Sequence, residues 1–79
     1  MKIDLNFMKK VFKNSLELED YDLKLNSKYD NVPDWDSLGH MKIISEIESN
    51  LKVEFDIDEI VGQDTVQKLI DMVNMKLKK

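Results

Sequence analysis

The chain has 79 residues, of which 42% are hydrophobic and 35% charged, with a formal net charge of −4. A domain of this size buries only roughly 60–65% of the surface its unfolded chain exposes, which leaves about 5 kcal/mol of net stability and little room for a walled catalytic pocket. There is no cysteine, no arginine, one histidine, and only Gly39 and Gly62 as glycines, so disulfides, thiolate ligands, thiol nucleophiles and phosphate-cradling glycine loops are excluded.

Residues 3–16 place Ile3, Phe7 and Val11, with Leu5, Met8, Phe12 and Leu16, in overlapping rows three and four apart, the period of an amphipathic helix. Residues 17–35 read as a long connection rich in Asp, Asn and Ser and interrupted by Pro33, with Tyr21, Leu23, Leu25 and Val32 expected to tuck against the helices. A second helix is predicted to begin near Ser37, with Leu38, Met41, Ile44, Ile47 and Leu51 as its buried stripe and Ile43 widening it. Asp36 and Ser37 suit a helix start, and the Asp36 carboxylate suits the positive end of the dipole.

Val53 to Ile57 alternates with period two, but a lone short strand has no partner here, so an extended linker is expected. Asp58-Glu59-Ile60-Val61 then makes a short helical turn that ends at Gly62. A last helix opens at Asp64 or Thr65 and carries Val66, Leu69, Ile70, Val73 and Leu77, closing on Lys76, Lys78 and Lys79. Met8, Met41, Met72 and Met75 are expected as core filler. The sum is one all-α domain over residues 1–79, a bundle of three main helices and one short one.

Charge is uneven. Residues 30–64 hold ten acids (Asp30, Asp34, Asp36, Glu46, Glu48, Glu54, Asp56, Asp58, Glu59 and Asp64) against Lys42 and Lys52, putting that segment at −8 and the remainder at +4. A nucleic-acid binder needs a cationic face, so nucleic acid is not an expected partner. An acidic segment is either a docking surface that steers basic partners or a solvated face that keeps a small protein soluble, and charge alone favours the second. Apolar runs stop at two residues, so no membrane insertion and no leader are expected, and a cytoplasmic location suits a chain without cysteine.

Catalytic readings fail quickly. Asp36, Ser37 and His40 contain the residue types of a nucleophile, base and orienter, but no donors converge for an oxyanion and the site would be open to water. Asp56, Asp58 and Asp64 lack the ligand spacing and glycine of a calcium loop, with Ile60 and Val61 where ligands or the turn would be. His40 has no partner ligands, so no metal is expected.

What remains is Asp36-Ser37-Leu38 at a helix start, after a long loop, inside the acidic segment. With the full run Trp35-Asp36-Ser37-Leu38-Gly39-His40-Met41-Lys42-Ile43-Ile44 and the order of elements around it, the chain resembles the acyl carrier protein family, which includes peptidyl and other aminoacyl carriers. The resemblance spans nearly the whole length, and Trp35 and His40 look like a specialised branch. It implies 4′-phosphopantetheine esterified to Ser37, installed from coenzyme A by a metal-dependent phosphopantetheinyl transferase that reads Asp36 and Leu38. It further implies a thioester-bound acyl or aminoacyl cargo, a loading ligase, and synthases or acyltransferases of fatty-acid or secondary-metabolite synthesis as partners. These dock transiently at the start of the second helix, with Met41, Glu46 and Glu48 as further recognition residues; the carrier itself catalyses nothing and is expected to be a monomer.

The physics of the sequence agrees, because a phosphodiester at a helix N-terminus meets free N–H groups and the favourable end of the dipole. A plain helix cap is the competing role for Ser37 and an additional one for Asp36. His40, one turn beyond Ser37, is expected as an exposed side chain in preference to a phosphate contact, and Trp35 as packing for the loop in preference to a partner contact. Family members of bulk fatty-acid synthesis usually carry acids just after the serine. Here Gly39, costing about 1 kcal/mol of helix propensity, and Lys42 take those places, which favours a dedicated pathway. Met41, Ile44, Ile57 and Ile60 are expected to shelter a bound chain. The reading from another class is a helical interaction module with no prosthetic group, docking through its acidic face.

Overall fold

A computed structural model describes residues 2–18 and 21–78, so Glu19 and Asp20 of the long connection and Lys79 at the end lie outside the described residues. Among the described residues the chain is all-α, with α1 at Leu5–Leu16, α2 at Ser37–Leu51, α3 at Ile57–Ile60 and α4 at Val66–Leu77. Each long helix begins where a side-chain oxygen accepts an otherwise orphaned amide. Asp4 accepts from Phe7 at 3.1 Å, Asp36 from Gly39 at 2.9 Å and Thr65 from Lys68 at 3.1 Å. The short α3 starts one residue earlier than its acidic residues suggested; the Glu59 carboxylate reaches back to the Asp56 amide at 2.9 Å and fixes the start there.

The core lies where α1 packs on α2 and α4. Met8, Val11, Phe12 and Leu16 of α1 meet Ile43, Ile44 and Ile47 of α2 and Val66, Leu69, Ile70 and Val73 of α4, all buried. Ile3, ahead of α1, is held to α4 by a reciprocal pair with the Asn74 amide, at 2.7 and 3.2 Å. Residues 53–56 form no helix or strand, in keeping with the linker reading, though Ile57 at its end belongs to α3, and Phe55 is buried with its N–H donated to Glu48 at 2.9 Å. Glu59 also receives Lys76 at 3.0 Å, so α3 is pinned to the end of α4.

The connection before α2 is a hydrogen-bonding element as much as a packed one. Leu23 and Val32 are buried as expected, whereas Tyr21 and Leu25 are exposed. Leu25 is exposed because this stretch offers backbone, not side chains, to the bundle. The carbonyls of Ser27 and Leu25 accept the amides of Val66 and Gln67, at 3.1 and 2.9 Å, and Tyr29 N–H donates to the Asp64 carbonyl at 2.8 Å. Lys28 and Thr65 form an isolated antiparallel bridge at the same place.

The buried face of α2 is rotated from the expected one. Ile43, Ile44 and Ile47 are buried and Leu51 half-buried, but Leu38 is 67% exposed and Met41 43% exposed. Gly39 supplies the reason. A Cβ there would overlap the Asp34 carbonyl oxygen and approach Leu16 Cδ2 to 2.9 Å, so the glycine face of the first turn is the one that touches the loop and α1. Leu38 and Met41 are thereby turned outward. Met8 is core as expected and Met72 packs at its edge, but Met75 is exposed on the outer side of α4.

Candidate functional site

The first turn of α2 is held in place by a knot of aromatic rings. Trp35, just before it, is 1% exposed and lies edge-on to Phe12 with ring centres 4.9 Å apart. Its indole N–H donates to His40 Nδ1 at 2.9 Å. Since an indole can only donate, Nδ1 carries no proton in this arrangement, and the other ring nitrogen, Nε2–H, donates to the Ile60 carbonyl at 3.2 Å. His40 therefore ties the loop, α2 and α3 together as a half-buried brace. The expectation of an exposed histidine is corrected, and the less favoured alternative of a phosphate contact is also not met, because both ring nitrogens are engaged within the fold. Trp35 packs the loop, as anticipated.

On this frame Ser37, the first residue of α2, stands exposed. The cap Asp36 is also exposed, its carboxylate spent on the Gly39 amide, while the His40 amide reaches the Asp36 carbonyl at 2.7 Å. The amides of Ser37 and Leu38 have no hydrogen-bond acceptor among the described residues. The Ser37 hydroxyl lies 3.4 Å from that of Tyr29, whose ring rests edge-on to both Trp35 and His40, with centres 6.0 Å away in each case.

Ser37 opens onto a groove of about 460 Å³ between α2 and α3, floored by Met41, Ile57, Ile60 and Val61 and rimmed by Tyr29, Gln63 and Asp64. Of the residues expected to shelter a chain, Met41, Ile57 and Ile60 line it; Ile44 is instead 1% exposed in the core. On the rim, the Lys68 hydrogen bond and its charge hold the Asp64 carboxyl below the usual aspartate range. A second, shallower groove of about 490 Å³ runs along the outer face of α2 past Leu38, Met41, Lys42, Ser45 and Glu46 to Ser15 of α1.

The predicted recognition residues thus separate. Asp36, Leu38 and Met41 surround Ser37, and Glu46 lies farther along the same outer face, half-buried and accepting from Asn50 at 3.0 Å. Glu48 turns to the linker to hold the Phe55 amide. Sequence reasoning missed three residues of the site. Tyr29 carried no periodic signal, the His40 partner is a carbonyl 20 residues away, and Gly39 registered as a helix-propensity cost and a departure from the family's acidic stretch but not as a packing contact. For Gly39 a signal was present, since a glycine in the first turn of a helix asks for a close neighbour.

The donor set fits a phosphodiester: an unhindered hydroxyl, two unpaired amides at the positive end of a helix and a neighbouring phenol. The family model described as the phosphopantetheine attachment site matches residues 33–73, more than half of the chain, including Ser37 and its α2–α3 groove apart from Tyr29. The chain belongs to the phosphopantetheine-attachment, or acyl carrier, family. A solution NMR structure of a holo acyl carrier protein from Geobacter metallireducens is 27% identical to this carrier, with a TM-score of 0.83 over 94% of this chain and 85% of that one. Comparison with curated proteins gives no match.

The prosthetic group of this carrier is 4′-phosphopantetheine, and a carrier domain of this kind works with modifying and synthase enzymes. The alternative of an interaction module without a prosthetic group is set aside by the family match. Among the described residues, no helix is long and apolar enough to cross a membrane.

Proposed function

We propose that Ser37 is the attachment residue, and that residues 1–79 act as one non-enzymatic carrier domain presenting an acyl or aminoacyl group to partner enzymes in the cytoplasm. The observation that carries this reading is the open start of α2, where an exposed hydroxyl opens onto a groove and the amides of Ser37 and Leu38 have no acceptor among the described residues. When bound, 4′-phosphopantetheine supplies a thiol, which the chain lacks, and holds the cargo as a thioester within reach of any docked enzyme.

The chain's own residues supply the rest. Asp36 fixes the first turn and, with Leu38, flanks the hydroxyl for the transferase. Leu38 and Met41 offer an apolar contact, and Glu46 a charge, to a loading ligase, synthase or acyltransferase docking through a small interface. Glu48 is occupied by the Phe55 amide, so its weight in docking is the smallest of the set. The Trp35–His40 brace and the Lys42 position distinguish this first turn from one with acids after the serine, which supports a specialised carrier serving a dedicated pathway; the carrier is proposed to be a monomer.

Intact mass spectrometry tests the attachment. Co-expressed with a broad-specificity phosphopantetheinyl transferase, the folded wild-type chain is expected to gain one phosphopantetheine mass, and Ser37→Ala to gain none. A wild type that stays unmodified while a control carrier in the same cells is converted, or a Ser37→Ala chain that is still modified, overturns the assignment.

A further inference from the structure

The Ser37 hydroxyl has two unlike flanks. On one, Glu17, Asp34 and Asp36 together with Lys42 line a small groove of about 200 Å³. On the other, the phenol of Tyr29 stands 3.4 Å from Ser37 Oγ at the mouth of the α2–α3 groove. Tyr29 is anchored three ways. Its N–H is bound to the Asp64 carbonyl at 2.8 Å, and its ring lies edge-on to Trp35 and to His40. Apart from Ser37 Oγ, its hydroxyl has no hydrogen-bond partner among the described residues. A fixed, otherwise unpartnered phenol beside a serine at a helix start is an unused donor for whatever oxygen is esterified there.

Resting on the reading that Ser37 carries the arm, we propose that Tyr29 is a positioning residue, which donates its hydroxyl hydrogen bond to the phosphodiester and turns the arm into the α2–α3 groove. The charges agree in direction. A phosphodiester anion is repelled by the acids of the opposite flank and attracted to a phenol O–H. Asp64, the one acid on the groove rim among the described residues, is paired with Lys68 at 3.0 Å and so opposes the anion less than an unpaired carboxylate would. Beyond the phosphate, the apolar floor of Ile57 and Val61, 62% and 68% exposed, gives the arm's geminal methyls a surface to cover.

The test is isotope-filtered NMR on the loaded carrier, wild type and Tyr29→Phe, after intact mass has confirmed loading. In the wild type, nuclear Overhauser contacts are expected from the arm's geminal methyls to Ile57 and Val61, and from its phosphate-side methylene to the Tyr29 ring. In Tyr29→Phe, which keeps the edge-on ring contacts, the methyl contacts are expected to weaken, the ratio of groove-bound to free arm falling about tenfold, the change for losing one hydrogen bond to a charged acceptor at the weak end of its range. Contacts of equal strength in both proteins overturn the proposal, as do wild-type contacts that run to Leu38. If the variant fails to fold, the wild-type contact between the Tyr29 ring and the methylene decides alone, and its absence overturns the proposal. Failure to load at all is read separately, by mass, and strikes the Ser37 assignment instead.

Discussion

The two long helices that follow the loop begin in opposite ways. At the start of α4 every early amide is used: Val66 and Gln67 donate to loop carbonyls and Lys68 to the Thr65 hydroxyl. At the start of α2 only the third amide, that of Gly39, is capped, and those of Ser37 and Leu38 have no partner among the described residues. The same loop serves both helices. It gives its carbonyls to α4, and it gives α2 a buried indole and a close backbone contact. One start is closed by hydrogen bonds and is structural; the other is held by packing, which leaves its donors free for an anion. A helix end can therefore be rigid and still chemically open, provided that side chains rather than capping groups hold it.

The sharpest way to break the comparison is to remove the packing. Trp35 is fully buried between Phe12 and the His40 ring, and Trp35→Ala is expected to cost about 4 kcal/mol, close to the whole stability of so small a domain. Urea denaturation followed by circular dichroism measures it. A loss below about 1 kcal/mol would mean that something else holds the α2 start.

Next is Gly39→Ala, which at a solvent-facing helix position would stabilise. Here the new methyl meets the Asp34 backbone carbonyl, in a loop residue already at φ +64°, so the obstruction cannot swing away. The expected outcome is a loss of about 3 kcal/mol, the cost of overpacking with little room to relax. Stabilisation in the same denaturation assay would show that the loop stands off the helix, and the packed account of this end would fall.

A matched pair of cap deletions then sharpens the contrast. Asp36→Ala and Thr65→Ala each remove one side-chain acceptor, and each is expected to cost about 1 kcal/mol. Their effects on loading differ: Asp36→Ala is expected to slow phosphopantetheinylation, timed by intact mass, whereas Thr65→Ala leaves it at the wild-type rate. Equal slowing by both would mean that the transferase senses stability rather than the α2 start.

The contrast also explains what the sequence could and could not reveal. Helices α1, α2 and α4 were legible because their apolar spacing is local, and Asp36-Ser37 marked the α2 start because a cap is local too. The orientation of α2 was not, since Leu38, Met41, Ile43, Ile44, Ile47 and Leu51 cover too wide an arc for spacing to select one face. Gly39 selects it, through a contact with a loop residue whose position no helical period predicts. His40 was misjudged for the same reason: its acceptor is a carbonyl on α3, and its donor is an indole that the loop delivers.

The smallest expected effect lies on the rim shared by the two helix starts. The Lys68 hydrogen bond, then its charge, lowers the Asp64 carboxyl, whose backbone carbonyl receives Tyr29 N–H. A carboxyl depressed in the folded state adds stability above its unfolded value and loses it as pH falls through the folded one. Lys68→Met should therefore raise the Asp64 midpoint toward the ordinary range, followed by carboxyl-carbon NMR on acidification. Both groups are well exposed, so the melting temperature at neutral pH should stay within error of the wild type. A clear fall in melting temperature would show that this pair, and not the backbone bonds from the loop, closes the α4 start.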